Sequence, residues 1–294
     1  MASKKRDIGK LLRKYGYSIP KSSHICAAAL ITGKSESLPI SDRATQYGDG
    51  FFTTMKVLNK KVCLWDLHLN RLKTSAIRLN MTEPDWNALD KQITELATKV
   101  ISGGIKVLIT RGSGGRGYSP QDCDDTQVII STFSLPIYYK EWKQKGIDLG
   151  VSDIQLGLNP LLAGMKHLNR LEQVLIKQSI SKTDYLDAIV LDISNNIVET
   201  SIGNLFWVKN DKLFTPDLSL AGVEGVMKAH IKKIASIHHI GIESVHCDFD
   251  TLAVADEVFI TNSLFEIVPI NKIKDIHFTK HTLTYWFQEK LYSC

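Results

Sequence analysis

The sequence predicts a mixed α/β (α+β) protein folded as two domains, a smaller N-terminal one and a larger C-terminal one. The spacing of apolar residues switches repeatedly between a period of two, as in Phe51–Leu58, and one of three to four, as in Asp66–Asn80. The 294 residues exceed what one hydrophobic core usually organises. Between two such patterned halves lies Pro136–Gly146, which mixes Pro, Tyr, Trp and Lys with no clean period. The expected organisation is a basic N-terminal extension over 1–22, an α/β domain over 23–138, a linker over 139–145 and a second domain over 146–294.

The elements follow in order. A strand-like run begins at Ile25, and Phe51–Leu58 reads as a second strand that turns at Asn59-Lys60-Lys61 into Val62–Trp65. In Asp66–Asn80 the residues Leu69, Leu72, Ala76 and Leu79 recur at helical intervals, and a second helix fills Trp86–Ile101. Ile105–Thr110 and Gln127–Phe133 read as strands on either side of the glycine-rich Arg111–Ser119. In the second half Asp148–Ile154 is a strand, and His167–Ser181 a helix with Leu168, Leu171, Val174 and Leu175 on one side. Short strands at Ala188–Ile193, Leu205–Val208 and Lys212–Thr215 lead to a helix over Val226–Ile240, a strand over Glu257–Thr261 and a last helix over Thr282–Leu291.

Composition bounds the function. With 44% hydrophobic and 23% charged residues the chain buries enough apolar surface to offset its ordering entropy, which excludes global disorder. The net charge of +5 is concentrated in Met1–Lys21, where seven Lys and Arg face only Asp7, so the remaining chain is slightly acidic. A basic arm of that length is poor evidence for nucleic-acid binding; it reads as a tail or as a helix for an anionic surface. The five cysteines (Cys26, Cys63, Cys123, Cys247, Cys294) are widely spread, without C-x-x-C or a neighbouring ligand-spaced His, and read as reduced thiols of a cytoplasmic protein without a metal site. The longest early apolar run, Ile25–Ile31, falls far short of the roughly 18 residues that span a bilayer, so no membrane segment is expected. A signal-peptide core is the alternative, but the run begins late and leads straight into a strand pattern.

Three segments carry candidate chemistry. Gly112–Tyr118 has G-x-x-x-x-G, but Tyr118 stands where a phosphate loop needs its lysine, so the segment reads as a hairpin loop whose Arg111 or Arg116 could grip a carboxylate. Lys166 lies between Met165 and His167 at the start of an amphipathic run; a lone lysine is ordinarily solvated, whereas a buried one has a lowered pKa and becomes nucleophilic. Glu199 precedes a run of small polar residues and by itself is an ordinary turn carboxylate.

Taken together the segments are specific. In order the chain carries S-D-R-A-T-Q-Y-G-D-G-F-F-T-T, H-L-N-R-L, I-T-R-G-S-G-G-R-G-Y-S, A-G-M-K-H-L-N-R-L-E-Q-V-L, V-E-T-S-I-G-N-L-F-W, A-G-V-E-G-V-M and V-F-I-T-N-S. This series resembles the class IV pyridoxal-phosphate enzymes, which include D-amino-acid and branched-chain aminotransferases and aminodeoxychorismate lyases. The glycine-rich and K-H-L-N-R-L-E-Q-V-L runs are most similar to those of the lyases. The resemblance implies fold type IV, with a C-terminal pseudo-barrel domain, a homodimer, pyridoxal 5'-phosphate as cofactor, and release of pyruvate from 4-amino-4-deoxychorismate to leave 4-aminobenzoate for folate. The alternative is an aminotransferase of the same family.

Residue by residue, the resemblance implies that Lys166 holds the cofactor covalently and later moves the substrate proton, and that Glu199 faces the pyridine nitrogen. Arg71 matches the phosphate-binding arginine, Val226 and Met227 the helix start whose N–H groups face the phosphate, and Ser263, beside Asn262, a hydroxyl of the same cup. The family usually has a hydroxyl where Met227 stands. Arg116 and Tyr118 match loop positions that trap a carboxylate. Phe52 and Thr53 replace the Tyr and Glu of D-amino-acid transaminases, which suits a flat ring, and Thr53 is a candidate to assist the leaving oxygen or the last proton transfer.

Overall fold

A computed structural model describes residues 29–32, 38–123 and 125–291. The basic extension lies outside them. The described chain divides into two compact units.

The N-terminal unit ends at Leu135 and takes back Met165–Arg170 from the later chain. Its elements are β1 (Ala29–Thr32), α1 (Arg43–Tyr47), β2 (Gly50–Leu58), β3 (Lys61–Val62), α2 (Trp65–Arg78), α3 (Trp86–Thr98), β4 (Ser102–Thr110), β5 (Gly114–Arg116), β6 (Ser119–Cys123) and β7 (Gln127–Phe133). Five strands pair in the order β1-β7-β4-β2-β3, all antiparallel, while β5 and β6 form a separate hairpin. The period of two in β2 has the expected effect: Phe51, Thr53, Met55 and Val57 are buried, and Phe52, Thr54 and Lys56 lie on the half-covered face. Leu72 and Ala76 of α2, and Leu89, Ile93 and Ala97 of α3, close that core. Helix α3 starts where Asp85 accepts from the N–H groups of Asn87 and Ala88, an N-cap of the usual kind.

The C-terminal unit contains α4 (Tyr139–Lys145), β8 (Ile147–Val151), α5 (Leu171–Ile180), β9 (Asp187–Leu191), β10 (Ile197–Thr200), β11 (Asn204–Lys209), β12 (Lys212–Pro216), α6 (Val226–Ile237), β13 (Ile242–Val245), α7 (Asp250–Ala253), β14 (Glu257–Asn262), β15 (Glu266–Ile273), β16 (Ile276–His277) and α8 (Thr282–Lys290). The large sheet runs β10-β9-β8-β15-β14-β11-β12-β13, with β16 on β15. It curls until β10 packs against β11, which is the expected pseudo-barrel form.

Two expectations are corrected. Residues 139–145 are not a linker: they form α4, whose Trp142 is 4% exposed and packs into the C-terminal core beside Phe265. The segment 165–170 is not helical, because its backbone is bonded to β2, and α5 begins only at Leu171. Leu171, Val174 and Leu175 do share one side of α5, and it is the exposed side, whereas Ile176 and Ile180 are buried. Strand β15 was not anticipated, since Pro269 in it argues against an inner strand; Pro269 stands opposite Phe259 of β14 and just before the β8 ladder, which begins at Ile270.

Helix α8 has no cap of its own, and buried Glu257 on β14 supplies one across the unit, accepting at 3.1 Å from the N–H groups of Leu283 and Thr284 and from the Thr284 hydroxyl. Glu257→Ala is expected to lower stability by about 2 kcal/mol, read as a reduced urea midpoint at unchanged slope.

Candidate active site

In the N-terminal unit, Met165–Arg170 lies across the start of β2. The Phe52 N–H donates to the Lys166 carbonyl and the Leu168 N–H to the Gly50 carbonyl, each at 3.0 Å, and Asn169 donates to the Gly48 carbonyl at 3.2 Å. Gly50 is required here: a Cβ would lie 2.3 Å from the Ile109 carbonyl oxygen and 2.9 Å from Leu168 Cδ1. The crosspiece sets Lys166 Nζ 4.8 Å from the centre of the Phe52 ring. Lys106 on β4 brings a second ammonium, Nζ at 4.7 Å, to the same ring. Burial lowers the Lys106 pKa. Lys106 was missed in the sequence, where a single lysine in I-K-V-L-I-T was its only signal.

Arg71 and His68, one turn apart on α2, meet Thr53 beneath the sheet. Arg71 Nη2 donates to the Thr53 hydroxyl, which lies 2.7 Å from His68 Nδ1. A guanidinium only donates, so the Thr53 hydroxyl accepts from Arg71. Burial, aided by the Arg71 charge, holds the His68 pKa well below the usual value, and burial lowers that of Arg71 to about 10. The fully buried Thr53 hydroxyl is thus committed to Arg71 and His68. Arg71 Nε is buried without a partner, and no described carboxylate pairs with the group. A buried cation left in that state calls for an external anion.

The β5–β6 hairpin carries the loop residues. Arg116 is exposed and pairs with no described residue, and Tyr118 is 87% exposed. Arg111 is spent structurally, on Asp49 Oδ2 at 2.8 Å and on the carbonyls of Leu79 and Asn80.

The C-terminal unit holds the remaining candidates. Glu199 on β10 is 7% exposed and accepts from the Val223 N–H at 3.0 Å. Asn204 fixes the same turn, donating to the Val223 carbonyl and accepting from the Gly225 N–H, so that helix α6 begins at Val226 with no side chain capping it. Its first N–H groups, those of Val226 and Met227 among them, remain available to an anion. At the end of β14 the Thr261 hydroxyl is buried without a partner, and the Ser263 hydroxyl bonds to no described residue. Asn262 is consumed by the turn: its amide oxygen accepts from Leu264 and Phe265, and its amide donates to the Ile202 carbonyl.

Comparison with known proteins identifies the family. The family model for amino-transferase class IV matches residues 50–273. The chain belongs to the class IV aminotransferase family. An aminodeoxychorismate lyase of Vibrio harveyi is 41% identical over 80% of this chain and 87% of its own. The crystal structure of 4-amino-4-deoxychorismate lyase from Pseudomonas aeruginosa superposes with a TM-score of 0.85 at 33% identity, covering 90% of this chain and 98% of that one. A hypothetical aminotransferase from Mycobacterium tuberculosis in a PLP-bound form shares the fold, with a TM-score of 0.78 at 16% identity over 88% of this chain and 93% of that one. Like those structures, this class IV chain is mixed α/β with curled sheets.

His167, next to the lysine, is pushed down to about 4, by burial first and then by the Arg170 charge, and His281 is also lowered by burial. With His68 this makes three histidines neutral in the folded state that protonate near pH 6.5 once unfolded. The unfolded chain therefore binds more protons below that pH, so their contribution to stability is complete above about pH 6.5 and lost as the pH falls towards 4. Urea midpoints measured from pH 7.5 down to 5 should fall, and fall less steeply in His167→Gln.

Proposed function

We propose that this class IV protein is an aminodeoxychorismate lyase, releasing pyruvate from 4-amino-4-deoxychorismate to leave 4-aminobenzoate. The observation that carries the reading is the 41% identity, across most of both chains, to a lyase rather than to a transaminase. Pyridoxal phosphate fits the residues present. Each unit by itself offers anion donors without partners: in one the Arg71 guanidinium, in the other the uncapped start of α6 and the hydroxyl of Ser263. Lys166 would hold the cofactor carbon, Glu199 would keep a proton on the ring nitrogen, and Arg71, Val226, Met227 and Ser263 would hold the phosphate, with Asn262 and Thr53 positioning their neighbours. When bound, the cofactor ring supplies an acceptor for the electron pair left by a broken C–H bond.

The chain's own residues do the rest. The Lys166 amine, its stem held by the crosspiece, takes the proton from C4 of the substrate ring. The C3–O bond then breaks, the enolpyruvyl oxygen leaves with the bonding pair, and the six-membered ring becomes aromatic. The three-carbon fragment gains a proton on carbon to become pyruvate. Arg116 and Lys106 provide cations for the two substrate carboxylates, and Phe52 a flat apolar surface for the ring.

Pyruvate release from 4-amino-4-deoxychorismate tests the reading. Lys166→Ala should abolish it together with the cofactor's visible absorbance, Glu199→Ala should lower kcat at least about a hundredfold, and Arg116→Ala and Lys106→Met should raise KM about tenfold. A purified enzyme that transaminates D-alanine or leucine and releases no pyruvate would refute it.

The same reading places the enzyme in the cytoplasm as a homodimer. Leu171, Val174 and Leu175 of α5, at 78, 59 and 49% exposure and spaced i, i+3, i+4, form an apolar stripe suited to a second copy. Val174→Asp should shift the protein to monomer in sedimentation measurements.

A further inference from the structure

Arg43, in the S-D-R-A-T-Q segment, takes no part in the chemistry above, yet it is 4% exposed and both of its Nη groups point to one place. Nε donates to Asp49 Oδ2 at 2.8 Å. Nη1 donates to the carbonyls of Gly117 at 3.1 Å, Ser119 at 3.2 Å and Gly114 at 3.5 Å, and Nη2 to that of Tyr118 at 3.0 Å. One guanidinium thus gathers four carbonyls of the β5–β6 hairpin. We propose that Arg43 is a positioning residue for substrate recognition, holding the hairpin in the conformation that presents Arg116 and Tyr118. The proposal rests on the reading of Arg116 as a carboxylate receptor.

The hairpin needs such a clamp because nothing in it supplies an alternative. Residues 114–122 are exposed throughout, so no buried side chain anchors them. Gly114, Gly115 and Gly117 have φ of +115, +71 and +58°, a conformation that glycine reaches freely and that costs much entropy to fix. The ladder is irregular between Gly114 and Arg116, and a short two-stranded hairpin alone is at best marginal in water. Its order is imposed from the Arg43 side. A Cβ at Gly115 would lie 2.1 Å from the Ser119 carbonyl oxygen and 3.0 Å from Arg43 Nη1, so the turn closes directly over the guanidinium.

Two further contacts couple this clamp to the recognition residues. The Arg43 guanidinium carbon lies over the Tyr47 ring, 4.9 Å from its centre, and the Tyr47 and Tyr118 rings meet in an edge contact with centroids 5.4 Å apart. Arg43, Tyr47 and Tyr118 therefore form one contiguous cluster. On the other side Asp49 Oδ2 receives both Arg43 Nε and Arg111 Nε at 2.8 Å. Burial works against the Asp49 charge, but hydrogen bonds from Arg111 and Arg43 outweigh it and hold the carboxyl below its usual range. Lysine cannot replace Arg43: a single ammonium lacks the planar fork that serves Asp49 and the hairpin at once.

Full-length cofactor-loaded wild type, Arg43→Gln and Arg43→Lys are compared by timed trypsin digestion, with mass mapping of cleavage after Arg116, and by steady-state pyruvate release. The expected result is cleavage after Arg116 about tenfold faster in both variants, KM raised about tenfold, kcat within about twofold and cofactor absorbance unchanged. Arg43→Lys keeps the charge opposite Asp49 and remains informative if Arg43→Gln does not fold. Wild-type protection of Arg116 in a folded Arg43→Lys, or a fall in kcat without a rise in KM, overturns the proposal. If instead Arg116→Ala leaves KM unchanged while both Arg43 variants expose the hairpin to trypsin, the clamp stands and the assignment of Arg116 to the substrate fails.

Discussion

The hydrogen bond from the Phe52 N–H to the Lys166 carbonyl is the constraint on which the candidate site depends. A lysine side chain has four rotatable carbons and loses much entropy when its ammonium is fixed, so its backbone must be fixed first. Here a six-residue segment that belongs by sequence to the later half is bonded into the N-terminal unit across β2. That explains G-D-G-F-F at the start of β2: with any side chain at Gly50 the crosspiece and the neighbouring strand could not both approach. The strand that carries Phe52 also carries Thr53 on its other face. One β-strand therefore serves the amine on one side and the buried guanidinium on the other.

Each unit, taken by itself, leaves polar groups without a partner among the described residues. Arg71 Nε and the Thr261 hydroxyl are buried without partners, and α6 begins without a cap. Each such group costs on the order of 1–3 kcal/mol against a paired one. The cores supply the offset, with Phe206 stacked on Phe259 at 5.0 Å and Trp207 on Phe214 at 5.8 Å in the C-terminal unit. An anion held by any one of these groups binds the folded state alone, so anion binding and stability are linked by mass action.

Local pattern made much of the fold readable, and its failures share a cause. The alternation of β2 and the helical spacing of α2 depend on nearest neighbours, and both are where the sequence places them. The start of α5 and the inner strand β15 are decided by distant partners: β2 captures residues that would otherwise extend the helix, and pairing on both edges overrides the warning of Pro269. Trp142 sits in a segment with no period because a single large aromatic is enough to dock the short helix α4. Lys166 and Glu199 were legible as candidates only as members of an ordered set of motifs, since each alone is an ordinary surface residue type. His68 and Lys106 escaped notice because their roles come from what the fold sets opposite them, Thr53 in one case and Phe52 in the other.

On the proposed reading, the two cations offered to the substrate differ in kind, and the difference bears on turnover. Lys106 stands on a central strand, half-buried against Phe52, whereas Arg116 stands on a hairpin whose order is supplied from outside. A substrate with two carboxylates engages both, and the second contact is made at high effective concentration once the first is in place. Cleavage of the C3–O bond divides those carboxylates between two products. Each product then keeps a single cation, and the advantage of joint binding disappears at the moment the chemistry is finished. Tight capture of substrate and ready release of both products thus follow from one arrangement, provided that the two cations are held apart by separate elements, as β4 and the β5–β6 hairpin hold them.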